Sequence, residues 1–159
     1  MQKITPCLWF DDNAEEAVQF YTSVFTNSKI VQTSYYGEGG PKPKGTVLTV
    51  IFELAGQEFM ALNGGPYSTF SPAISLHIKC HSQEEVDDLW RKLADGGEPQ
   101  ECGWLRDKYG VSWQIVPTIL GEMLNDPNAA KAQSVMQAML KMKKIDINTL
   151  WAAYRQGQS

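Results

Sequence analysis

Few residues in this sequence are able to do acid–base, nucleophilic or metal chemistry, and they lie far apart. His77 and His81 are the two histidines. His77 sits in the stretch SPAISLHIKC, where Ile74, Leu76, Ile78 and Cys80 alternate with Ser75, His77 and Lys79. That alternation predicts a strand with one core face and one polar face, and it sends Ser75 and His77 to the polar side. An imidazole there is a candidate general base, because His exchanges its proton near neutral pH. His81 falls at the entrance of the following helix, where solvent reaches it. Cys7, Cys80 and Cys102 are odd in number, widely spaced and outside any C-x-x-C pattern. They read as reduced thiols, and their spacing excludes a thiolate zinc site.

The elements that must position these groups occur twice. In the first copy, apolar Ile4 to Phe10 reads as a buried strand ending at Asp11-Asp12. Asn13 with Glu16 has the spacing of a capping box, and Ala14, Ala17, Val18, Tyr21, Val24 and Phe25 form a helical stripe. Ser28 to Tyr36 reads as a strand, the Gly- and Pro-rich run from Gly37 to Gly45 as a loop, and Val47–Leu54 with Phe59–Asn63 as a hairpin turned at Ala55-Gly56-Gln57. Gly64-Gly65-Pro66 opens a linker to Pro72.

In the second copy, the His77 strand runs into a helix capped by Ser82 with Glu85, striped by Val86, Leu89, Trp90 and Leu93, and stopped by Gly96-Gly97. Three short strands follow, at Pro99–Glu101, Gly103–Asp107 and Val111–Pro117. Sliding this copy back so that Ser82 falls on Asn13 also lays Glu85 on Glu16, Val86 on Ala17, Leu89-Trp90 on Phe20-Tyr21, and Leu93 on Val24. The expected architecture is α+β: a βαβββ module over 1–66, a second over 67–120 and C-terminal helices over 121–159, in one compact domain. Any small-molecule site is expected between the two copies. In the tail, Asp126-Pro127 opens a helix sided by Val135, Met139 and Met142, and Asp146 precedes a stripe of Ile147, Leu150, Trp151 and Tyr154.

Composition narrows the partners. The 159 residues are 43% hydrophobic, enough to bury a full core, and 14 basic against 18 acidic residues give a net charge of −4. With the sole basic cluster at Lys141, Lys143 and Lys144, nucleic acid is a poor partner. No apolar run approaches the roughly 20 residues that cross a bilayer, and MQKITPCLWF lacks the apolar core of a signal peptide, so a cytoplasmic protein with no membrane partner is expected.

Two βαβββ units with FYTSVF in the first helix, GGPYSTFSPAISL at the junction, CGWLRDKYGVSWQIVP in the last hairpin and MKKIDI near the end resemble the PhnB-like branch of the vicinal oxygen chelate superfamily. That superfamily includes glyoxalases, extradiol dioxygenases, and fosfomycin and bleomycin resistance proteins. Many PhnB-like proteins carry the label 3-demethylubiquinone-9 3-methyltransferase. The resemblance implies a divalent ion held by His, Gln or Glu from the first and fourth strands of each half. Carried over, those places fall at Pro6 and Ala61 in the first half, neither of which has a donor. In the second half they fall at Ser75, or His77 two residues on, and at Gln114, four residues after the Gly of the D-x-x-G turn.

The resemblance therefore implies a small-molecule-binding protein of this fold with no resident cofactor or metal. His77 and Gln114 are the candidate catalytic groups, and Pro6, Trp9, Met60, Ser75 and Trp104 the candidate ligand contacts. Phe52 and Trp113 join Trp9, Met60 and Trp104 as candidate aromatic or apolar lining. The alternatives are a lyase- or dioxygenase-like enzyme using Ser75, His77 and Gln114 around a divalent ion, and the methyltransferase of the family label. Against the latter, the sequence has no Gly-rich turn between a parallel strand and a helix to hold a nucleotide-type methyl donor. A homodimer is expected, with Met139, Met142, Leu150, Trp151 and Tyr154 supplying apolar surface to cover.

Overall fold

The structure, a computed structural model, describes residues 2–157 and divides between Phe70 and Ser71 into two compact units. The first holds β1 (Cys7–Phe10), α1 (Ala14–Val24), β2 (Lys29–Tyr35), β3 (Val47–Leu54) and β4 (Gln57–Asn63). Its sheet has the order β1-β4-β3-β2, with β1 parallel to β4 and the other pairs antiparallel. Apolar residues of alternate strand positions, Leu8, Phe10, Val50, Phe52, Leu54, Phe59 and Ala61, are buried, as are Ala14, Ala17, Val18 and Tyr21 of α1. Burial of each large side chain contributes about 1.5–3 kcal/mol, so this helix-on-sheet layer is the main source of the unit's stability. Ile4, expected inside β1, is 83% exposed, because pairing with β4 begins only after Pro6, whose carbonyl accepts from Met60 N–H.

The capping box expected at α1 is absent: the Asn13 side chain makes no capping hydrogen bond. Asn63, at the end of β4, does the work from a distance. Its Oδ1 accepts from Ala14 N–H at 2.8 Å, while its Nδ2 donates to Glu15 Oε1 at 2.8 Å and to Val47 O at 3.0 Å. A buried amide (3% exposed) thus ties the helix start to two strands.

The second unit repeats the plan with β5 (Ser75–Cys80), α2 (Gln83–Ala94), β6 (Glu98–Pro99), β7 (Trp104–Arg106) and β8 (Ser112–Pro117), in the order β5-β8-β7-β6. Again the first and last strands are parallel and the rest antiparallel. Here the local cap forms, with Ser82 Oγ accepting from Glu85 N–H at 3.1 Å and Glu85 Oε1 accepting from His81 N–H at 2.8 Å. The turn before β8 is organised by buried Asp107. Its Oδ1 accepts from Tyr109 and Val111 N–H, at 2.8 and 3.1 Å, and its Oδ2 accepts from Trp113 Nε1 at 2.8 Å. Gly97 passes so close to this turn that a Cβ would lie 2.2 Å from Arg106 O, which excludes any other residue. Ile74, expected to face the core, is 76% exposed because β5 begins one residue later.

The helical tail begins earlier than expected, at α3 (Thr118–Leu124), directly after β8, followed by α4 (Ala129–Met139) and α5 (Ile147–Gln156). Asp126-Pro127 does not open α4. Asn128 caps it, accepting from Ala130 and Lys131 N–H at 3.0 and 3.2 Å, and Asp126 instead accepts from the Tyr154 hydroxyl at 2.7 Å. Asp146 caps α5 through Thr149 N–H at 2.9 Å, as its position predicts. Leu120, Met123, Val135, Ile145 and Leu150 form a core of their own, against which Met139, Met142, Trp151 and Tyr154 pack. The apolar residues expected to seek a second copy are therefore used within the chain.

Candidate functional site

Each sheet has a face covered by its helix and a face turned away from it, and the strand register decides which residues share the latter. In the second unit His77 pairs with Gln114, Ser75 with Ser112, and Trp104 with Gln114. Paired residues share a face, so Ser75, His77, Ser112, Gln114, Trp104 and Arg106 all lie opposite the helix-side residues Leu105, Trp113 and Ile115. Gln114 Nε2 donates to Ser75 Oγ at 2.9 Å, which sets the orientation of the amide. His77 is exposed beside it, and Trp104 and Gln114 are half-buried. The structure thus brings His77, Gln114, Ser75 and Trp104 together on one patch. Trp113 and Phe52, expected as lining, are core residues at 2% and 0% exposure, on the helix sides of their sheets.

The corresponding face of the first unit is built from Cys7, Trp9, Thr49, Ile51, Met60 and Leu62. Trp9 Nε1 donates to Gly65 O at 2.9 Å, and its ring lies where a Cβ on Gly64 would be, 2.4 Å away, so Gly64 is required for this seat. Pro6 and Ala61 are not on this face. Ala61 pairs with Leu8 and is wholly buried, and Pro6 takes the same parity one step before β1. Cys7 pairs with Met60 as His77 pairs with Gln114, so Cys7 and Met60 hold the places expected for Pro6 and Ala61.

The mismatch between the two first strands, which set Pro6 opposite Ser75, has a simple origin. Asp11-Asp12-Asn13 separate β1 from α1, whereas only His81-Ser82 separate β5 from α2. Registering the copies on their helix caps therefore misplaces the strands by one residue, and one residue reverses the face.

These donors do not fit a resident divalent ion. In the second unit the candidates are a hydroxyl and an amide already bonded to each other, with one imidazole. In the first, Thr5 Oγ1 donates to Glu58 Oε2 at 2.9 Å, the thioether of Met60 is a weak ligand, and partial desolvation pushes the Cys7 thiol pKa up, away from the thiolate a metal needs. Among the described residues no three His, Cys, Asp or Glu side chains come together as a metal-holding group. Nor is any described helix long and apolar enough to cross a membrane.

Paired βαβββ units with a parallel outer strand define a protein of the glyoxalase/bleomycin resistance fold. A genomically encoded fosfomycin resistance protein, FosX, from Listeria monocytogenes shares that fold, with a TM-score of 0.51 at 19% identity over 77% of this chain and 97% of its own. A protein of Pseudomonas aeruginosa does so with a TM-score of 0.61 at 22% identity, over 74% of this chain and 98% of its own.

Within that class, the family described as 3-demethylubiquinone-9 3-methyltransferase matches residues 2–116, and the chain belongs to it. The PhnB protein of Bacillus cereus, which carries the same description, is 46% identical over 74% of this chain and 100% of its own, with a TM-score of 0.67. No curated protein matches. The family match ends one residue before the end of β8, so α3, α4 and α5 lie beyond it.

Proposed function

We propose that this protein binds a small planar molecule bearing a hydroxyl or carbonyl group on the face of the second unit that carries Gln114. The observation behind this reading is the Gln114–Ser75 hydrogen bond, in register with His77 and Trp104. It orients the amide while leaving its carbonyl oxygen without a partner among the described residues, next to an imidazole and the indole of Trp104. An aromatic ring stacks on the indole, and a polar substituent meets the amide and imidazole. The methyltransferase of the family description finds no support in the architecture, since among the described residues no parallel strand runs through a Gly-rich turn into a helix.

Calorimetric titration with 2,3-dimethoxyphenol tests this reading. Gln114→Ala should weaken binding about tenfold, the loss of one to two buried-type hydrogen bonds. Equal affinity of the variant and the parent would sink it. Saturable binding of S-adenosylmethionine would restore the methyltransferase reading. A homodimer is proposed on separate grounds: Ile4 and Ile74, just ahead of the first strand of each unit, are 83% and 76% exposed and are apolar surface for a second copy to cover. Light scattering that gives one chain mass at micromolar concentration would remove it.

A further inference from the structure

The tail beyond the family match is joined to the second unit at a particular turn. Cys102 N–H donates to Met142 O and Gly103 N–H to Lys143 O, both at 2.8 Å. Both residues are in the left-handed region, Cys102 at φ 59 and Gly103 at φ 86. For Cys102 that conformation costs on the order of 1 kcal/mol, and it persists only where the surroundings hold it. Ile145 lies against the same turn, wholly buried, 3.1 Å from where a Cβ on Gly103 would be. Gly103 O in turn accepts from Ile115 N–H at 2.8 Å, and the next residue, Trp104, begins β7 and pairs with Gln114. The tail segment is itself fastened at the start of α2. Gln83 Nε2 donates to Ile145 O at 3.0 Å, its Oε1 accepts from Ile147 N–H at 2.7 Å, and Lys144 pairs with Asp87 at 2.8 Å.

We infer that the tail is a positioning element: by holding the Cys102–Gly103 turn in its left-handed form, the Met142–Ile145 segment sets the place of Trp104 beside Gln114. Ligand affinity is thereby governed by residues that touch no ligand, among them Gln83 and Lys144. The affinity part rests on the binding reading above; the placement of Trp104 does not.

The test uses the full chain with uniform 15N labelling, which reports both backbone amides and tryptophan indoles, and the double variant Gln83→Ala/Lys144→Ala, which removes the side chains that fasten the segment to α2. Cys102 and Gly103 amides should exchange about tenfold faster, the Trp104 indole resonance should move while those of Trp9 and Trp113 stay, and affinity for 2,3-dimethoxyphenol should fall about threefold to tenfold. Lys144→Ala alone should move Trp104 the same way by less, and Lys144→Arg should restore it. An unmoved Trp104 resonance overturns the proposal, as does a Trp113 resonance that moves with it, which would mean general loosening. If the parent protein binds no probe, the binding reading fails and the Trp104 resonance alone decides this one.

Discussion

The two units have one topology and opposite chemistry. On their helix sides both are mainly apolar and buried, Phe52 and Ala61 in one matching Leu105, Trp113 and Ile115 in the other. On the faces turned from the helix, Met60 stands in the first unit where Gln114 stands in the second, and Cys7 where His77 stands. Ser75 bonds to Gln114, whereas Thr5 bonds to the carboxylate of Glu58. The difference teaches which side of a βαβββ unit the fold constrains. Packing against the helix takes apolar residues of suitable volume, or a polar one such as Asn63 whose amide is fully hydrogen-bonded, while the opposite face keeps the register whatever side chains it carries and so is free to specialise.

The sharpest way to break this comparison is to attack the buried polar anchor of each unit. Asp107→Ala removes three hydrogen bonds to a buried carboxylate and is expected to cost roughly 3–5 kcal/mol in urea unfolding. Asn63→Ala, which removes three bonds to a neutral amide, should cost about 2–3 kcal/mol. By contrast Asn13→Ala should cost under about 0.5 kcal/mol, since Asn13 does not cap its helix; a cost near that of Asn63→Ala would mean that the cap is local after all.

Exchanging the equivalent side chains sharpens the comparison at the faces. Gln114→Met should reduce affinity for 2,3-dimethoxyphenol about tenfold, and Met60→Gln should leave it within about twofold. If both substitutions act equally in calorimetry, the two faces are not chemically distinct sites.

The thiols divide in the same way. Cys80 is wholly buried on the helix side of β5, and burial, followed by the nearby Glu85 carboxylate, pushes its pKa up to about 12. A folded-state value above the ordinary one near 9 means that the folded form keeps its proton while the unfolded form loses it. Stability is therefore unaffected below about pH 9 and falls as pH rises from there toward 12, by at most about 1.4 kcal/mol per unit. Urea midpoints compared between about pH 8.5 and 10 should show this slope in the parent and a shallower one in Cys80→Ala, where Cys7, also raised, still contributes. Iodoacetamide should label exposed Cys7 and spare Cys80 in the folded protein, and labelled protein should bind the phenol as before; this is the smallest effect expected.

Much of this was legible in the residues alone. The stripes Ala17, Val18, Tyr21 and Val24 in α1, and Val86, Leu89 and Leu93 in α2, are buried as their periodicity requires, because a helix on a sheet has only one way to hide them. The caps at Ser82 and Asp146 formed because donor and acceptor lie within one turn of chain. The association of Ser75, His77 and Gln114 followed from strand parity within the second unit and the resemblance that placed Gln114.

Tertiary structure alone decided the rest, wherever the outcome turned on partners distant in sequence. Asn63 displaced the local cap of α1 from the far end of β4, a partner no window of sequence reveals. The extra residue in Asp11-Asp12-Asn13 offsets β1 by one against a registration on the helix caps, which leaves Pro6 at helix-side parity and Cys7 on the other face, and the pairing of Cys7 with Met60 puts Ala61 on the helix side, since a strand's faces alternate with every residue. Met139 and Met142 pack within the chain because α3, α4 and α5 close on one another around Ile145. The same tail meets Cys102 in a left-handed turn, a state that no local preference of cysteine favours, through main-chain bonds from Cys102 and Gly103 to Met142 and Lys143.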